Sequence, residues 1–170
     1  MDEPATWLTD HATLLPHSGT ALDLACGRGR HALWLARRGL SVTAIDRDHD
    51  ALGQIEDTAA SLGLTISTLA VDLEAEAASL GRAHYDVIVC VHYLHRALFP
   101  AIIEALRPAG VLVYETFTRT QATLGRPRNP AFLLEEGELE QLVAPLDIVA
   151  SREGLFDGRH LASVVARGII

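Results

Sequence analysis

The stretch TALDLACGRGRHALWLARRGLSVTAID, residues 20–46, carries the pattern that predicts the fold. Its apolar run Ala21–Cys26 is short enough for a buried strand, and the glycine turn Gly27–Gly29 follows directly. A helical segment then covers Arg30–Arg38, and a second buried strand runs from Ser41 to Asp46. A strand, a glycine turn, a helix, a strand and an acid, in this order, indicate half of a nucleotide-binding α/β unit.

The glycine turn has the properties of a ligand site. Gly27 and Gly29 lack a Cβ, so the turn can adopt positive φ and its backbone can approach a ligand closely. The helix that begins near Arg30 directs free N–H groups to the same place, which suits a carboxylate or a phosphate. Asp46 can accept two hydrogen bonds from a ribose diol. The turn therefore predicts a nucleoside site, although glycines of this spacing also form tight turns that bind nothing.

Two further acids bear on which nucleoside binds. Asp23 lies inside an otherwise apolar strand, where a buried carboxylate is costly unless a positive group pairs with it. The ammonium and sulfonium charges of S-adenosylmethionine can do so, whereas the pyrophosphate of NAD would repel it. Asp72 closes a third candidate strand, Thr65–Val71, and can accept the adenine amino hydrogen beside the Leu73 backbone. Acids at the ends of three successive strands favour S-adenosylmethionine over NAD.

Four ordered motifs resemble those of class I S-adenosylmethionine-dependent methyltransferases: DLACGRGR (23–30), Asp46, VDL (71–73) and YDVIVC (85–90). The run GRHALWLA, residues 29–36, is similar to the small branch that includes the tellurite-resistance methyltransferases. The resemblance is good from Thr20 to about Gly110 and looser beyond.

The resemblance implies roles for individual residues. Those matching Asp23, Gly27 and Gly29 would contact the methionine portion of the cofactor, the residue matching Asp46 would hold the ribose, and Asp72 with Leu73 would frame the adenine. The full set of residues predicted to bind S-adenosylmethionine is Asp23, Ala25, Cys26, Gly27, Gly29, Arg30, Asp46, Arg47, Asp72, Leu73 and Cys90.

The remaining strands predict one doubly wound α/β domain over residues 1–170. Tyr85–Val91 is apolar on both faces, as central parallel strands are, and Val111–Glu115 is a fifth strand. Leu146–Ser151 and Leu161–Ala166 are joined without a crossover helix, so they must be antiparallel. We predict a mostly parallel sheet of order 3-2-1-4-5-7-6 with an antiparallel C-terminal hairpin, the Rossmann-like methyltransferase fold.

Three segments outside the sheet carry further predictions. A helix over Asp2–Leu15, with Asp2 as its N-cap, would make residues 1–19 an N-terminal helical cap. Leu73–Leu80 is rich in alanine and predicts a short helix. Residues 118–131 contain three arginines and no apolar periodicity, and such a long structureless loop is a candidate lid.

The loop after the fourth strand carries the candidate chemistry, because in a doubly wound sheet it lies at the carboxyl edge beside the glycine turn. A soft nucleophile such as a thiolate, a selenol or a tellurium oxyanion needs no protein base. An oxygen or nitrogen nucleophile can require one, and His92 and Tyr93 are then the first catalytic candidates. Three more residues are predicted to contact the substrate, the last by attracting an anionic group: Tyr114, Glu115 and Arg119.

The composition narrows the partners. A formal net charge of −8 argues against a broad binding surface for nucleic acid or an anionic membrane. Two cysteines, Cys26 and Cys90, make no disulfide framework, so a cytoplasmic protein is expected; we expect the two side chains near each other under the cofactor. Neither a membrane span, a secretory signal nor a metal site is expected.

Three function classes remain. The first is an S-adenosylmethionine-dependent methyltransferase acting on a small molecule, with soft or anionic nucleophiles among the expected acceptors. The second is a non-catalytic module that binds S-adenosylmethionine, and the third is a nicotinamide-dependent oxidoreductase. The first is favoured because the C-terminal hairpin closes the sheet as in methyltransferases, which a dinucleotide half-fold would not need.

Overall fold

Seven strands form one sheet in the computed structural model, which describes residues 2–75 and 78–170. In chain order they are β1 (Thr20–Leu24), β2 (Ser41–Asp46), β3 (Ile66–Ala70), β4 (Tyr85–Val91), β5 (Leu106–Phe117), β6 (Asp147–Phe156) and β7 (Arg159–Arg167). Their order across the sheet is 3-2-1-4-5-7-6, and β7 is antiparallel to both β5 and β6. The predicted fold class, strand order and antiparallel hairpin are therefore confirmed.

Helices cover both faces of the sheet. They are α1 (Thr6–Asp10), α2 (Arg30–Arg37), α3 (His49–Ser61), α4 (Phe99–Ala105), α5 (Gln121–Leu124) and α6 (Glu138–Leu142). Side chains of α1, α2 and α3 pack in one core layer, and those of α4 and α6 pack in the other. Within residues 2–75 and 78–170, no helix has the length and apolar character needed to cross a membrane.

The two core layers separate the cysteines. Cys90 lies in β4 and is fully buried in the layer that contains Phe99 and Tyr114. Cys26 packs in the opposite layer with Ile55. The prediction that the two thiols lie near each other is therefore wrong. The two strand ends are adjacent, but the side chains lie on opposite faces of the sheet.

The predicted N-terminal helix over Asp2–Leu15 is too long. Helix α1 begins at Thr6, and a separate 3₁₀ turn covers Ala12–Leu14, so Asp2 does not cap a helix. The preceding backbone is used for a tertiary contact instead, since the Ala5 N–H donates to Nε2 of His31 at 3.1 Å.

The helix predicted over Leu73–Leu80 is wrong for the residues that the structure describes. Leu73–Ala75 form a turn and bend, residues 78–80 have no regular structure, and residues 76 and 77 lie outside the described part of the chain. The Asp72 carboxylate accepts the N–H of Glu74 at 3.0 Å, and such a local bond competes with helix formation.

The segment 118–131 contains more structure than predicted. It includes helix α5 and ends in a 3₁₀ turn at Pro130–Phe132, and Thr118 pairs with Leu134 as an isolated parallel bridge. The buried amide of Gln121 donates to the carbonyl of Arg126 at 3.0 Å. Side-chain hydrogen bonds of this kind leave no periodic signal in the sequence.

The two glycines of the turn after β1 have different surroundings. Both have positive φ, 54° at Gly27 and 79° at Gly29. A Cβ on Gly27 would meet no atom within 4 Å, whereas a Cβ on Gly29 would lie 2.6 Å from Cγ1 of the fully buried Ile55 in α3. Gly29 therefore allows α2 and α3 to pack closely, and Gly27 leaves open space beside the turn.

We expect Gly29→Ala to lower the free energy of unfolding by about 2–4 kcal/mol, because it adds both a left-handed alanine and a contact with Ile55. Gly53→Ala is the matched control: it lies within α3 with no atom within 4 Å of its added Cβ, and it should stabilise by about 0.5–1 kcal/mol. Urea unfolding followed by circular dichroism measures both. Wild-type stability for Gly29→Ala would contradict this packing role.

Candidate functional site

Two adjoining cavities open at the carboxyl ends of β1, β2 and β4. The first, of about 400 Å³, extends from Asp46 and Asp72 to Tyr93 and Phe132. The second, of about 710 Å³, includes Gly27 and residues of α2. This edge of a doubly wound sheet is where ligands bind, so the strand order places the candidate site where the sequence predicted it.

Ala25 and His92 line both cavities and therefore stand between them. Ala25 follows β1 with φ 54°, and His92 follows β4 with φ 60°. Residues other than glycine adopt such angles at a cost, and they are frequent at functional sites. The two residues thus separate the cavity beside the glycine turn from the cavity that contains Tyr93.

The Asp46 carboxylate is already part of the turn. Its Oδ2 accepts the Gly27 N–H at 2.9 Å, and its Oδ1 accepts the Asp48 N–H at 3.0 Å. Each oxygen keeps a further lone pair for a ligand. Asp46 thus lines the first cavity and also connects β2 to the glycine turn, and its contact with a ribose stays a prediction.

The residues assigned to adenine and ribose are brought together. Asp46, Arg47, Asp72 and Leu73 all line the first cavity, with Leu73 nearly buried. Cys26 and Arg30 line the second cavity beside Gly27. The structure brings these predicted residues to the two cavities, and their contacts with a ligand stay predictions.

Asp23 lies beneath the turn and is 1% exposed. Its Oδ2 accepts the N–H of Ala32 in α2 at 2.9 Å. Burial raises the pKa of this carboxyl to about 7, although the Ala32 hydrogen bond and the charge of Arg30 act in the opposite direction. A positive ligand charge nearby would stabilise the ionised form of this carboxyl.

His92 is fixed by two contacts. Its backbone N–H donates to the Glu115 carbonyl at 2.8 Å, and its ring stacks on Phe117 with the centroids 4.6 Å apart. Burial lowers the pKa of His92 to about 4, and the charges of Arg30 and Arg159 lower it further. The imidazole is therefore neutral at pH 7 and has a free lone pair, and the same burial makes it a weaker base than an exposed histidine.

Tyr93 and Tyr114 form a second support for the same loop. Burial and the charge of Glu74 raise the pKa of Tyr93 to about 12, so its phenol stays protonated at pH 7. Tyr114 is 1% exposed, and its hydroxyl donates to the Tyr93 carbonyl at 2.5 Å. Tyr114 was predicted to contact the substrate; the structure places it behind the loop, where it fixes the backbone.

The other two predicted substrate residues are also directed away from the cavities. Glu115 is buried, accepts the Ser163 hydroxyl at 2.5 Å and pairs with Arg152 at 3.4 Å. Arg119 pairs with Glu135 at 2.6 Å. Strand β5 continues two residues beyond its predicted end, so Thr116 and Phe117 line the first cavity in their place.

Three predicted cofactor residues line neither cavity, and Asp23 is one of them because it is buried beneath the turn. Gly29 contacts α3, and Cys90 lies under the sheet surface, fully buried. The lining residues that were not predicted include His31, Pro127 and Phe132. His31 sits at the second position of α2, and burial lowers its pKa to about 3, so its Nε2 accepts the Ala5 N–H in the neutral state. Its position just after the glycine turn was the one signal available.

Comparisons with known proteins agree with this geometry. A family model described as a methyltransferase domain matches residues 21–110. The ubiquinone biosynthesis O-methyltransferase of Burkholderia multivorans is 32% identical over 118 residues, covering 66% of this chain and 50% of that protein. The probable S-adenosyl-L-methionine-dependent methyltransferase TehB of Haemophilus influenzae is 34% identical over 140 residues, covering 79% and 48%. The chain thus spans about half the length of these curated relatives.

Solved structures show the same fold. The crystal structure of TehB from Haemophilus influenzae has a TM-score of 0.83 at 21% identity and matches 97% of this chain and 62% of that chain. An S-adenosylmethionine-dependent methyltransferase from Mesorhizobium loti has a TM-score of 0.76 at 18% identity, with 96% and 98% covered. At these identities the structural likeness supports the fold alone.

Proposed function

The chain belongs to the class I S-adenosylmethionine-dependent methyltransferases, and on this premise we propose that it methylates a small molecule bound beside His92. Its cofactor is S-adenosylmethionine. One observation supports the choice of site: Asp46 and Asp72 line the same cavity as His92 and Tyr93. The predicted cofactor residues and the catalytic candidates therefore face one space. Because the chain belongs to this family, we discard the alternative of a nicotinamide-dependent oxidoreductase.

The names of the relatives support a small acceptor. The Burkholderia multivorans relative is an O-methyltransferase of ubiquinone biosynthesis, and it matches two thirds of this chain. An oxygen atom on a small molecule is therefore among the acceptors that we propose. The first cavity, of about 400 Å³, falls in the range of small-molecule sites.

The described residues fit the cofactor. Asp46 would accept hydrogen bonds from the ribose hydroxyls through its remaining lone pairs, and Asp72 with Leu73 would frame the adenine. The open space at Gly27 leaves room for the methionine portion beside Arg30. Beneath it, the buried Asp23 accepts the Ala32 N–H and has a raised pKa, so a positive ligand charge nearby would stabilise its ionised form.

We expect S-adenosylmethionine to bind about tenfold more tightly at pH 8 than at pH 6, because its positive charge favours ionised Asp23, whose pKa is raised to about 7 without ligand. Below that pKa, binding must release the proton. Calorimetry in buffers of different ionisation enthalpy measures both effects. In Asp23→Asn the pH dependence should vanish, while Asp57→Asn on the exposed face of α3 should keep it. Equal wild-type affinity at the two pH values would contradict this assignment.

His92 is the proposed proton acceptor. When bound, S-adenosylmethionine supplies a methyl carbon on positively charged sulfur: the acceptor atom bonds to that carbon, the carbon–sulfur electron pair stays on sulfur, and the acceptor's proton leaves to a base or to water. The neutral imidazole of His92 lies between the two cavities and can take that proton. Tyr93, protonated at pH 7, orients the acceptor rather than deprotonating it.

We expect His92→Asn to slow methylation of a phenol by about 10²–10⁴-fold, because a general base contributes that much. Methylation of the corresponding thiophenol should change little, since its thiolate needs no base. Asparagine tolerates the positive φ of this position, so the loop should persist. Formation of S-adenosylhomocysteine measures both rates. An equal loss for both acceptors would contradict the proton-acceptor role.

A further inference from the structure

The first cavity is divided chemically along the sheet. Its acids and Arg47 follow β2 and β3, on one side of β1. Toward β4 and β5, four side chains form what we call the acceptor wall: Phe117, Pro127, Phe132 and Tyr93. The last of these also lies near the acids, since burial and the charges of Glu74 and Asp72 raise its pKa. Leu94 and Thr116 complete this side, and among its described lining residues none is an arginine or an acid. The acceptor wall is therefore uncharged and largely aromatic.

The charges around the cavity disfavour an anionic acceptor. Three carboxylates and one arginine line it: Asp46, Asp72, Glu74 and Arg47. Arg119 pairs with Glu135 at 2.6 Å, and Arg30 and Arg159 line no part of this cavity, although, besides burial, their charges lower the pKa of His92 at its edge. The side chains that line the first cavity therefore carry more negative than positive charge, which disfavours an anion among them.

Phe132 is the least buried member of the acceptor wall. It is 44% exposed, although its neighbours Leu133 and Leu134 are 2% and 0% exposed. The ring faces the cavity from a 3₁₀ turn and contributes no fully buried core contact. A half-exposed aromatic ring at the mouth of a cavity can bury further apolar surface when a flat apolar ligand packs against it.

Arg96 fixes the backbone around Phe132. Its guanidinium donates to the carbonyls of Ala131 at 3.2 Å and Leu133 at 2.8 Å, the residues on either side of Phe132. It also forms two hydrogen bonds with Glu138, at 2.5 and 3.0 Å. This planar fork is a geometry that lysine does not reproduce. The position of Phe132 therefore depends on Arg96 as well as on the burial of Leu133 and Leu134.

We propose, resting on the methyltransferase function above, that the acceptor is an uncharged aromatic molecule carrying a hydroxyl or thiol, whose ring packs against the acceptor wall. Arg96 is then a positioning residue that holds Phe132 in that wall. His92, between the two cavities, lies where it can meet the hydroxyl or thiol of such a ring.

Two probes of the same shape test the proposal. The protein is first titrated with S-adenosylhomocysteine, which tests the methyltransferase function alone. The saturated complex is then titrated with 2-naphthol, which is neutral, and with 2-naphthalenesulfonate, which is anionic, and sodium selenite serves as a third, inorganic anion. We expect 2-naphthol to bind at least about tenfold more tightly than either anion.

Variants distinguish binding at the acceptor wall from nonspecific binding to exposed apolar side chains. Phe132→Ala should weaken 2-naphthol about tenfold, and Leu155→Ala, which removes a 61% exposed side chain on the C-terminal hairpin, should not. Arg96→Gln should weaken 2-naphthol while S-adenosylhomocysteine binds as in wild type. It should also speed hydrogen exchange in residues 127–138, which a matched Arg107→Gln change, breaking an ion pair with Asp86, should leave unchanged.

The outcomes are distinct. Absence of S-adenosylhomocysteine binding in the wild type would overturn the proposed function and this inference with it. Normal S-adenosylhomocysteine binding with tighter binding of 2-naphthalenesulfonate or selenite would overturn the uncharged acceptor and leave the function intact. Unchanged 2-naphthol affinity in Phe132→Ala would overturn the acceptor wall. Unchanged exchange and affinity in Arg96→Gln would overturn the positioning role.

Discussion

The Asp46 carboxylate is the interaction on which the site depends. It accepts the N–H of Gly27 from the turn after β1 and the N–H of Asp48, whose own side chain caps α3 through two N–H groups. One side chain thus fixes the end of β2, the glycine turn and the start of a helix. The same two oxygens face the cavity, so the group proposed to hold the ribose is also the group that shapes its surroundings.

Parallel pairing supplies the rest of the arrangement. Strands β2, β1 and β4 run side by side, so their carboxyl ends reach the same edge and place Asp46, Ala25 and His92 around one opening. The acids and Arg47 lie toward β2 and β3, Phe117 and Phe132 lie on the other side of β1, and Tyr93 lies near the acids. A cofactor with a positive charge and an acceptor without one would meet between them, where the neutral His92 stands.

Most of the sheet could be predicted from the sequence because short apolar runs and their polar ends are local signals. Asp46, Asp72 and His92 were located because each follows such a run directly. Tyr114 and Glu115 were misplaced, since β5 continues to Phe117 by pairing with β7, a long-range contact that the local pattern does not contain. Two further features depend on partners distant in the chain, the diversion of Arg119 to Glu135 and the exposure of Phe132.

Calorimetric titration of Asp46→Ala with S-adenosylhomocysteine measures what this carboxylate contributes to cofactor binding, with Asp57→Ala on the exposed face of α3 as the control. We expect a loss of about 1.5–3 kcal/mol, or about 10- to 150-fold in affinity, for Asp46→Ala and none for the control. Wild-type affinity in a folded Asp46→Ala protein would contradict this expectation.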